Sequence, residues 1–296
     1  MSPITGILVV LAVGRAILVS GLLPHDSGKT YFTASLALGI KSLGYSVKVF
    51  KPVAAHSLWY QYRVFRESVR LGVLVGEDVV KYMRLGLVEN PDVQNPVDIL
   101  MGVPDVDSFA SIDMYLAALE DAVAQAVLVR LSYGVRRYFL VEDSYRALPP
   151  HVREVVDEAV EVFGPATRVG RAWIANALTS REVDTALLTA ARNLIGKVDF
   201  LLIESFNNAL TPSASIAQLV DRLVIVAPGK ALIYPGSKLR SYITAARSVM
   251  ELVSRSFARL FRPEYSINVE LAEGWPPPAL HPKAVAMVVG AGRPTS

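Results

Sequence analysis

A strand, a loop and a helix near the start of the chain decide the fold: Ala16-Ile17-Leu18-Val19-Ser20-Gly21, then Leu22-Leu23-Pro24-His25-Asp26-Ser27-Gly28-Lys29-Thr30, then a helical pattern from Tyr31. The first run is apolar and ends in glycine, as a buried parallel strand does. Phe32, Leu36 and Ile40 then recur every four residues, as on one face of a helix. Because Ser46–Phe50 has a second strand pattern, the stretch predicts a βαβ unit with parallel strands and a right-handed crossover.

The middle of the chain, over residues 57–197, is predicted to be enlarged and mostly helical. The helical patterns cover Leu58–Arg70, Glu77–Leu85, Ile112–Leu131, Pro150–Phe163 and Ser180–Ile195. Strand-like runs occur at Tyr138–Val141 and Ala172–Ala175, and a long ordered loop is expected between Glu89 and Asp107. Since no repeat or low-complexity linker separates this region, the sequence predicts a single domain over residues 1–296.

Strand patterns return after the middle region. Val198–Glu204 and Leu223–Ala227 are apolar on both faces, which is typical of central strands buried on both sides. A helix is expected over Ser237–Phe261 and a weaker strand over Ala284–Val289. Together with the βαβ unit, these elements predict an α/β protein with three layers, α/β/α, and a mostly parallel central sheet.

Composition excludes several kinds of chemistry. The 296 residues contain no cysteine, so disulfides, cysteine-ligated zinc, iron–sulfur clusters and cysteine nucleophiles are ruled out. Thirty basic and 27 acidic residues leave a formal charge of +3, which is too small an excess to indicate nucleic acid as a partner. The arginine-rich, cysteine-free composition is typical of a thermophile.

The apolar run Ile4–Val13 is the best candidate for a membrane segment. It has about half the length that a spanning helix needs. Arg15 interrupts its extension, and no Lys or Arg precedes it as in a secretory signal. We therefore expect a buried strand or a segment leading into one, no membrane association, and a cytoplasmic protein.

The loop carries residues suited to phosphate binding. In such loops, backbone N–H groups and the positive end of the following helix hold the phosphates. Gly28 allows close backbone approach, Lys29 supplies a charge for the phosphates of ATP, and Thr30 supplies a hydroxyl for Mg²⁺. The spacing departs from the usual phosphate-binding motif, because Leu23 stands where a glycine is expected.

The run Ile17–Val53 resembles the start of dethiobiotin synthetases and cobyrinic acid amidating synthases, in the MinD-like branch of P-loop NTPases. The resemblance rests on Asp26, two residues before the Gly-Lys-Thr, and on Lys51-Pro52-Val53 after the second strand. It implies that Lys51 contacts substrate or phosphate and that Lys29, Lys51 and Asp26 are catalytic. The implied acceptor is a carboxylate or carbamate activated by phosphorylation, and the implied assembly is a homodimer.

The same resemblance extends to the later strands. Glu204 at a strand end is the best acidic partner for Mg²⁺, together with Thr30 and Asp26. The turn Pro228-Gly229 stands where the family holds the nucleobase. The full set of expected nucleotide contacts is Pro24, His25, Asp26, Ser27, Gly28, Lys29, Thr30, Tyr31, Pro228 and Gly229.

Three alternatives stay open at this stage. Polynucleotide 5′-hydroxyl kinases of the Clp/Grc type carry a loop similar to Pro24–Thr30, although they lack Lys-Pro-Val. A non-enzymatic nucleotide switch, which predicts ATP-dependent dimerisation with little turnover, is the second alternative. A degenerate loop that binds no nucleotide is the reading suggested by Leu23. The sequence identifies neither the acceptor nor the choice between ATP and GTP.

Overall fold

The computed structural model describes residues 14–246, 252–271 and 274–290, and these form an α/β protein. The strands of the described residues are β1 (Arg15–Gly21), β2 (Val47–Phe50), β3 (Val53–Ser57), β4 (Val97–Met101), β5 (Ala126–Tyr133), β6 (Val135–Val141), β7 (Ala166–Val169), β8 (Phe200–Glu204), β9 (Arg222–Ala227), β10 (Lys230–Pro235) and β11 (Tyr265–Asn268). The helices are α1 (Lys29–Ser42), α2 (Tyr62–Leu71), α3 (Glu77–Arg84), α4 (Pro91–Gln94), α5 (Ile112–Glu120), α6 (Ala122–Gln125), α7 (Glu142–Arg146), α8 (Pro150–Phe163), α9 (Arg171–Leu178), α10 (Arg181–Ile195), α11 (Ala214–Ala217), α12 (Gly236–Ala245), α13 (Ser254–Leu260) and α14 (Pro282–Val289).

The described residues divide into two compact units, one within residues 1–49 and 191–296 and the other within residues 50–190. The sequence had predicted one domain with an enlarged middle over residues 57–197. The structure instead gives this middle part a sheet of its own, in addition to helices. The expectation of an α/β fold is confirmed.

A six-stranded sheet in the order β11-β10-β9-β1-β8-β2 organises the first unit. β1 pairs in parallel with both β8 and β9, whereas β9, β10 and β11 pair antiparallel. β8 and the interior of β9 are fully buried, as their unbroken apolar runs predict. Since β8 lies between β1 and β2, the two strands of the predicted βαβ unit are not direct neighbours.

A five-stranded sheet in the order β3-β4-β5-β6-β7 organises the second unit. Its outer pairs, β3–β4 and β6–β7, are parallel, and its inner pairs are antiparallel. One side of this sheet packs in a core with Phe65, Tyr138, Val156 and Phe163. The helices predicted over Glu77–Leu85, Pro150–Phe163 and Ser180–Ile195 are confirmed within one residue at each end, and that over Leu58–Arg70 is confirmed from Tyr62 onward.

Several local expectations are wrong. The helix predicted over Ile112–Leu131 is two helices, α5 and α6, that end at Gln125. The chain continues as β5, which is buried on both faces from Ala126 to Leu131. The expected loop between Glu89 and Asp107 contains α4 and β4. The predicted strand Ala172–Ala175 lies in the helix α9.

The two expectations near the end of the chain also need correction. The predicted strand Ala284–Val289 is the helix α14, where Pro282 stands in the first turn and the His281 side chain caps the helix by accepting from the Lys283 N–H. Val285, Val288 and Val289 share its buried face. The predicted helix Ser237–Phe261 is represented by α12 and α13, and residues 247–251 between them lie outside the described residues.

The expectation for Ile4–Val13 also falls outside the described residues. Among the helices of the described ranges, none is long and apolar enough to cross a membrane.

Candidate functional site

The loop between β1 and α1 is closed by its own serine. The buried Ser27 hydroxyl accepts a hydrogen bond from the Leu23 N–H at 2.9 Å and donates one to the Leu23 carbonyl at 3.0 Å. Asp26 and Gly28 both have left-handed backbone conformations, with φ of 51° and 84°. The loop at Leu23 is therefore held by side-chain contacts rather than by the glycine that the usual motif has there.

The first turn of α1 has the properties of an anion site. Gly28 caps the helix with no side-chain hydrogen bond, and no acidic residue lies in the first turn. The N-terminal end of a helix carries a partial positive charge and directs backbone N–H groups outward. Lys29 and Thr30, the first two helical residues, add an ammonium and a hydroxyl to this end.

The Lys29 ammonium lies over the start of the loop. A Cβ added at Gly21 would stand 2.7 Å from Ser27 Oγ, 2.9 Å from Lys29 Nζ and 3.1 Å from the Asn207 carbonyl. Any side chain at residue 21 would displace these groups, since real Cβ contacts are not that short. Gly21 thus allows the lysine to fold back over the end of β1.

Thr30 and Glu204 meet although they are 174 positions apart in the sequence. Glu204 is fully buried and is the last residue of β8, where it stands in register with Val19 of β1. The Thr30 hydroxyl donates to Glu204 Oε1 at 3.2 Å. A hydroxyl and a carboxylate oxygen are ligands that Mg²⁺ accepts in proteins.

The other predicted residues of the loop lie further toward solvent. Pro24, His25 and Asp26 are exposed, whereas Tyr31 is partly buried at the start of α1. Among the described residues, no hydrogen bond or ion pair joins Asp26 to Thr30 or Glu204. The structure therefore brings Lys29 together with Gly21, and Thr30 with Glu204, and leaves Asp26 outside these contacts.

Pro228 and Gly229 form the two-residue turn of the hairpin between β9 and β10. Gly229 has a φ of 74°, as tight hairpin turns require. Both residues are exposed, and the Gly229 carbonyl accepts a hydrogen bond from the Val269 N–H. Their predicted contact with a nucleobase stays a prediction.

Lys51 belongs to the second unit. Its side chain is almost fully buried, and its ammonium pairs with Asp78 at 3.1 Å. Asn95 donates a hydrogen bond to the Lys51 carbonyl, and the Lys51 N–H donates to the Gln94 carbonyl. These contacts fix the lysine within the second unit, and its substrate role stays a prediction from the resemblance.

A buried histidine–aspartate pair in the second unit was missed by the sequence analysis. His56 Nδ1 lies 3.1 Å from Asp98 Oδ1, and both side chains are fully buried. Asp98 Oδ2 accepts the Gly76 N–H at 2.8 Å, while His56 Nε2 has no hydrogen-bond partner in the described part of the chain. No sequence signal was available for the pair, because Asp98 stood in a segment predicted to be a loop.

A fully buried arginine lies in the same unit. Arg130 donates to the Leu74 carbonyl, to both oxygens of Asn95 and to Ser132. Burial lowers the pKa of the Arg130 guanidinium, and the nearby carboxylates of Asp98 and Asp92 oppose this shift. Such a buried cation is tolerated because its donors are hydrogen-bonded.

The second unit also contains an apolar cavity of about 670 Å³. Trp59, Tyr60, Tyr62 and Tyr115 form much of its wall. Tyr60 and Tyr62 precede and begin α2, whereas Tyr115 lies in α5, so only the folded chain shows that they share a cavity.

Comparison of the chain with family models, with curated proteins and with solved structures gave no match. In the described ranges, no group of three or more histidine or acidic side chains is arranged to hold a metal ion. The geometry around Lys29, Thr30 and Glu204 is therefore the basis for any assignment of function.

Proposed function

We propose that the chain is a magnesium-dependent, ATP-binding protein of the P-loop NTPase class that phosphorylates a carboxylate or carbamate acceptor. In this proposal the first unit is an α/β/α nucleotide-binding fold similar to that of dethiobiotin synthetases. The observation that carries the proposal is the hydrogen bond between Thr30 and Glu204, formed at the start of α1 and the end of β8. This hydrogen bond supports the proposal because it brings together a hydroxyl and a carboxylate, the two groups that a nucleotide-bound Mg²⁺ needs from the protein.

The residues present fit ATP and Mg²⁺ in two respects. The close approach at Gly21 leaves room for Lys29 to lie over the loop, where a side chain would intrude. The donor set of Thr30 and Glu204 contains only oxygen atoms, which suits a hard cation such as Mg²⁺. A single protein carboxylate is compatible with a site in which phosphate oxygens and waters complete the coordination.

When bound with Mg²⁺, ATP would supply a γ-phosphoryl group for an acceptor oxygen, with ADP as the leaving group. Lys29 and the N–H groups at the start of α1 would bind phosphate oxygens and offset their charge. Thr30 and Glu204 would hold the metal, with Asp26 directed to its waters. A role for Lys51 at the acceptor is implied by the resemblance alone.

Thermal unfolding with ATP or GTP, each with Mg²⁺, tests nucleotide binding. A ligand at about 100 times its dissociation constant adds roughly 2.7 kcal/mol to the free energy of unfolding. We expect this stabilisation in the wild type and in Lys41→Ala, whose exposed lysine lies in the last turn of α1. We expect none in Lys29→Ala. Absence of stabilisation in the wild type would support a degenerate loop.

The nature of the acceptor is tested separately, by following ADP release with organic acids and with 5′-hydroxyl oligonucleotides. The proposal expects turnover with an organic acid. Turnover with oligonucleotides alone would instead identify a polynucleotide kinase. Binding of ATP that produces dimers but no turnover would identify a switch.

A further inference from the structure

A cavity of about 380 Å³ in the first unit opens beside the loop between β1 and α1. Leu22, Leu23 and Pro24 line it on the loop side, and Arg255, Ala258 and Arg259 of α13 line it on the other. Its volume lies within the range of small-molecule sites. The residue that departs from the usual motif, Leu23, thus forms part of the wall of a cavity.

The two arginines make this cavity cationic. Arg255 and Arg259 are four residues apart, so they lie on the same face of α13. Both are exposed, and neither forms a hydrogen bond or an ion pair with any residue that the structure describes. A third arginine, Arg262, follows in the same segment of the chain.

Backbone contacts hold α13 against the loop that follows Glu204. The Leu210 N–H donates to the Leu252 carbonyl at 2.8 Å, and the Ser254 N–H donates to the Asn208 carbonyl at 3.0 Å. Asn208 itself lines the cavity. The arginines are therefore positioned by the same loop that follows the proposed metal ligand.

We propose that this cavity binds the acceptor, and that the acceptor is an organic anion whose carboxylate or phosphate group contacts Arg255 and Arg259. Guanidinium groups bind such planar or tetrahedral oxyanions through paired hydrogen bonds. The apolar side chains of Leu22 and Leu23 favour a ligand with a hydrocarbon body. That the bound anion is the phosphoryl acceptor rests on the proposed function. The preference of the cavity for an amphiphilic anion does not, and it can be measured without nucleotide.

Binding of four probes without nucleotide, measured by calorimetry or ligand-observed NMR, tests the inference. Hexanoate and hexyl phosphate carry the two candidate head groups, hexylammonium reverses the charge, and acetate lacks the hydrocarbon body. We expect the first two probes to bind at least about tenfold more tightly than the others. The tighter of the two identifies the head group.

Variants then assign the binding to the arginines. Arg255→Gln with Arg259→Gln should weaken the favoured probe at least about tenfold, whereas Arg262→Gln, outside the cavity, should leave its affinity within about twofold. Each single variant should lose part of the affinity for the favoured probe. The single variants therefore test the inference even if the double variant does not fold. Lys29→Ala should retain the probe and lose ATP, which separates failure of this inference from failure of the proposed function.

Three results would overturn the inference. Equal binding of hexanoate and hexylammonium would show that the cavity does not select anions. Unchanged probe affinity in both single variants and the double variant would remove the arginines from the site. A loss of ATP affinity in the double variant as large as in Lys29→Ala would assign the arginines to the nucleotide instead.

Discussion

The Thr30 hydroxyl donates a hydrogen bond to the fully buried carboxylate of Glu204, joining the first turn of α1 to the end of β8. The parallel pairing of β1 with β8 produces this contact, because it sets Val19 beside Glu204 just before the loop leaves the sheet. Ligands of open α/β sheets bind at the carboxyl ends of the strands. The contact therefore lies where a nucleotide site is expected.

Replacing Gly21 by alanine should weaken both ATP binding and the stability of the fold. The new methyl group would press against Ser27 Oγ and Lys29 Nζ, which stand 2.7 and 2.9 Å from its position. The lysine end can move away, but Ser27 Oγ is held by two hydrogen bonds to Leu23 and the Asn207 carbonyl belongs to the backbone, so we expect a loss of about 1–3 kcal/mol in the free energy of unfolding. Displacement of the ammonium should lower ATP affinity about tenfold, as measured by calorimetry.

Gly274→Ala is the matched control for that substitution. A Cβ at Gly274 meets no atom of the described residues within 4 Å, so stability and ATP affinity should be unchanged. An unaltered ATP affinity in Gly21→Ala would show that the position of Lys29 over the loop does not matter for binding.

Removal of the Asp98 carboxylate should destabilise the protein strongly. Asp98→Ala removes the hydrogen-bond partner of the buried His56 ring and the acceptor of the Gly76 N–H. Breaking a buried polar pair in this way costs about 3 kcal/mol. Urea unfolding should detect this loss, while the exposed Asp107, changed to asparagine, should leave the unfolding free energy nearly unchanged. A loss below about 1 kcal/mol in Asp98→Ala would mean that the pair contributes little to the fold.

Stability should depend on pH through Asp92. Partial burial acts to raise the pKa of Asp92, but hydrogen bonds from Arg136 and Ser132 outweigh it and hold the pKa below its ordinary value of 3.8. A lowered folded pKa stabilises the protein above the unfolded value, and this contribution is lost as the pH falls through the folded value. The stability difference between wild type and Asp92→Asn should therefore be constant above about pH 4.5 and shrink below pH 3.8.

Denaturant unfolding of both proteins from about pH 2.5 to about pH 7, a range that includes values on both sides of the ordinary carboxylate pKa, measures this difference. Asp107→Asn serves again as the exposed control. A difference that grows as the pH falls would contradict the sign of the shift.

The elements around the loop were predictable from the sequence because their signals are local. The apolar run ending at Gly21, the four-residue spacing in α1 and the apolar run ending at Glu204 each indicate one kind of structure. The contact of Thr30 with Glu204 followed only as an expectation from the resemblance, since pattern alone does not state which strands are neighbours.

The sheet of the second unit was missed for physical reasons. Ala126–Tyr133 continues an apolar helical stretch, and a buried strand cannot be distinguished from a buried helix by periodicity alone. The apolar run in α14 was instead predicted to be a strand. Its valines fit either a strand or a helix until Pro282 and His281 are recognised as the start of a helix. Arg255 and Arg259 gave no signal, because their cavity forms only when α13 meets the loop.

The most direct test of the central claim is the effect of Mg²⁺ on ATP affinity, measured by calorimetry in wild type, Thr30→Ser and Thr30→Val. We expect Mg²⁺ to tighten ATP binding at least about tenfold in the wild type and in Thr30→Ser, which keeps the hydroxyl. In Thr30→Val, which is nearly isosteric with threonine, the effect of Mg²⁺ should largely disappear. Failure of the wild type to bind ATP, or an equal effect of Mg²⁺ in all three proteins, would contradict the proposed site.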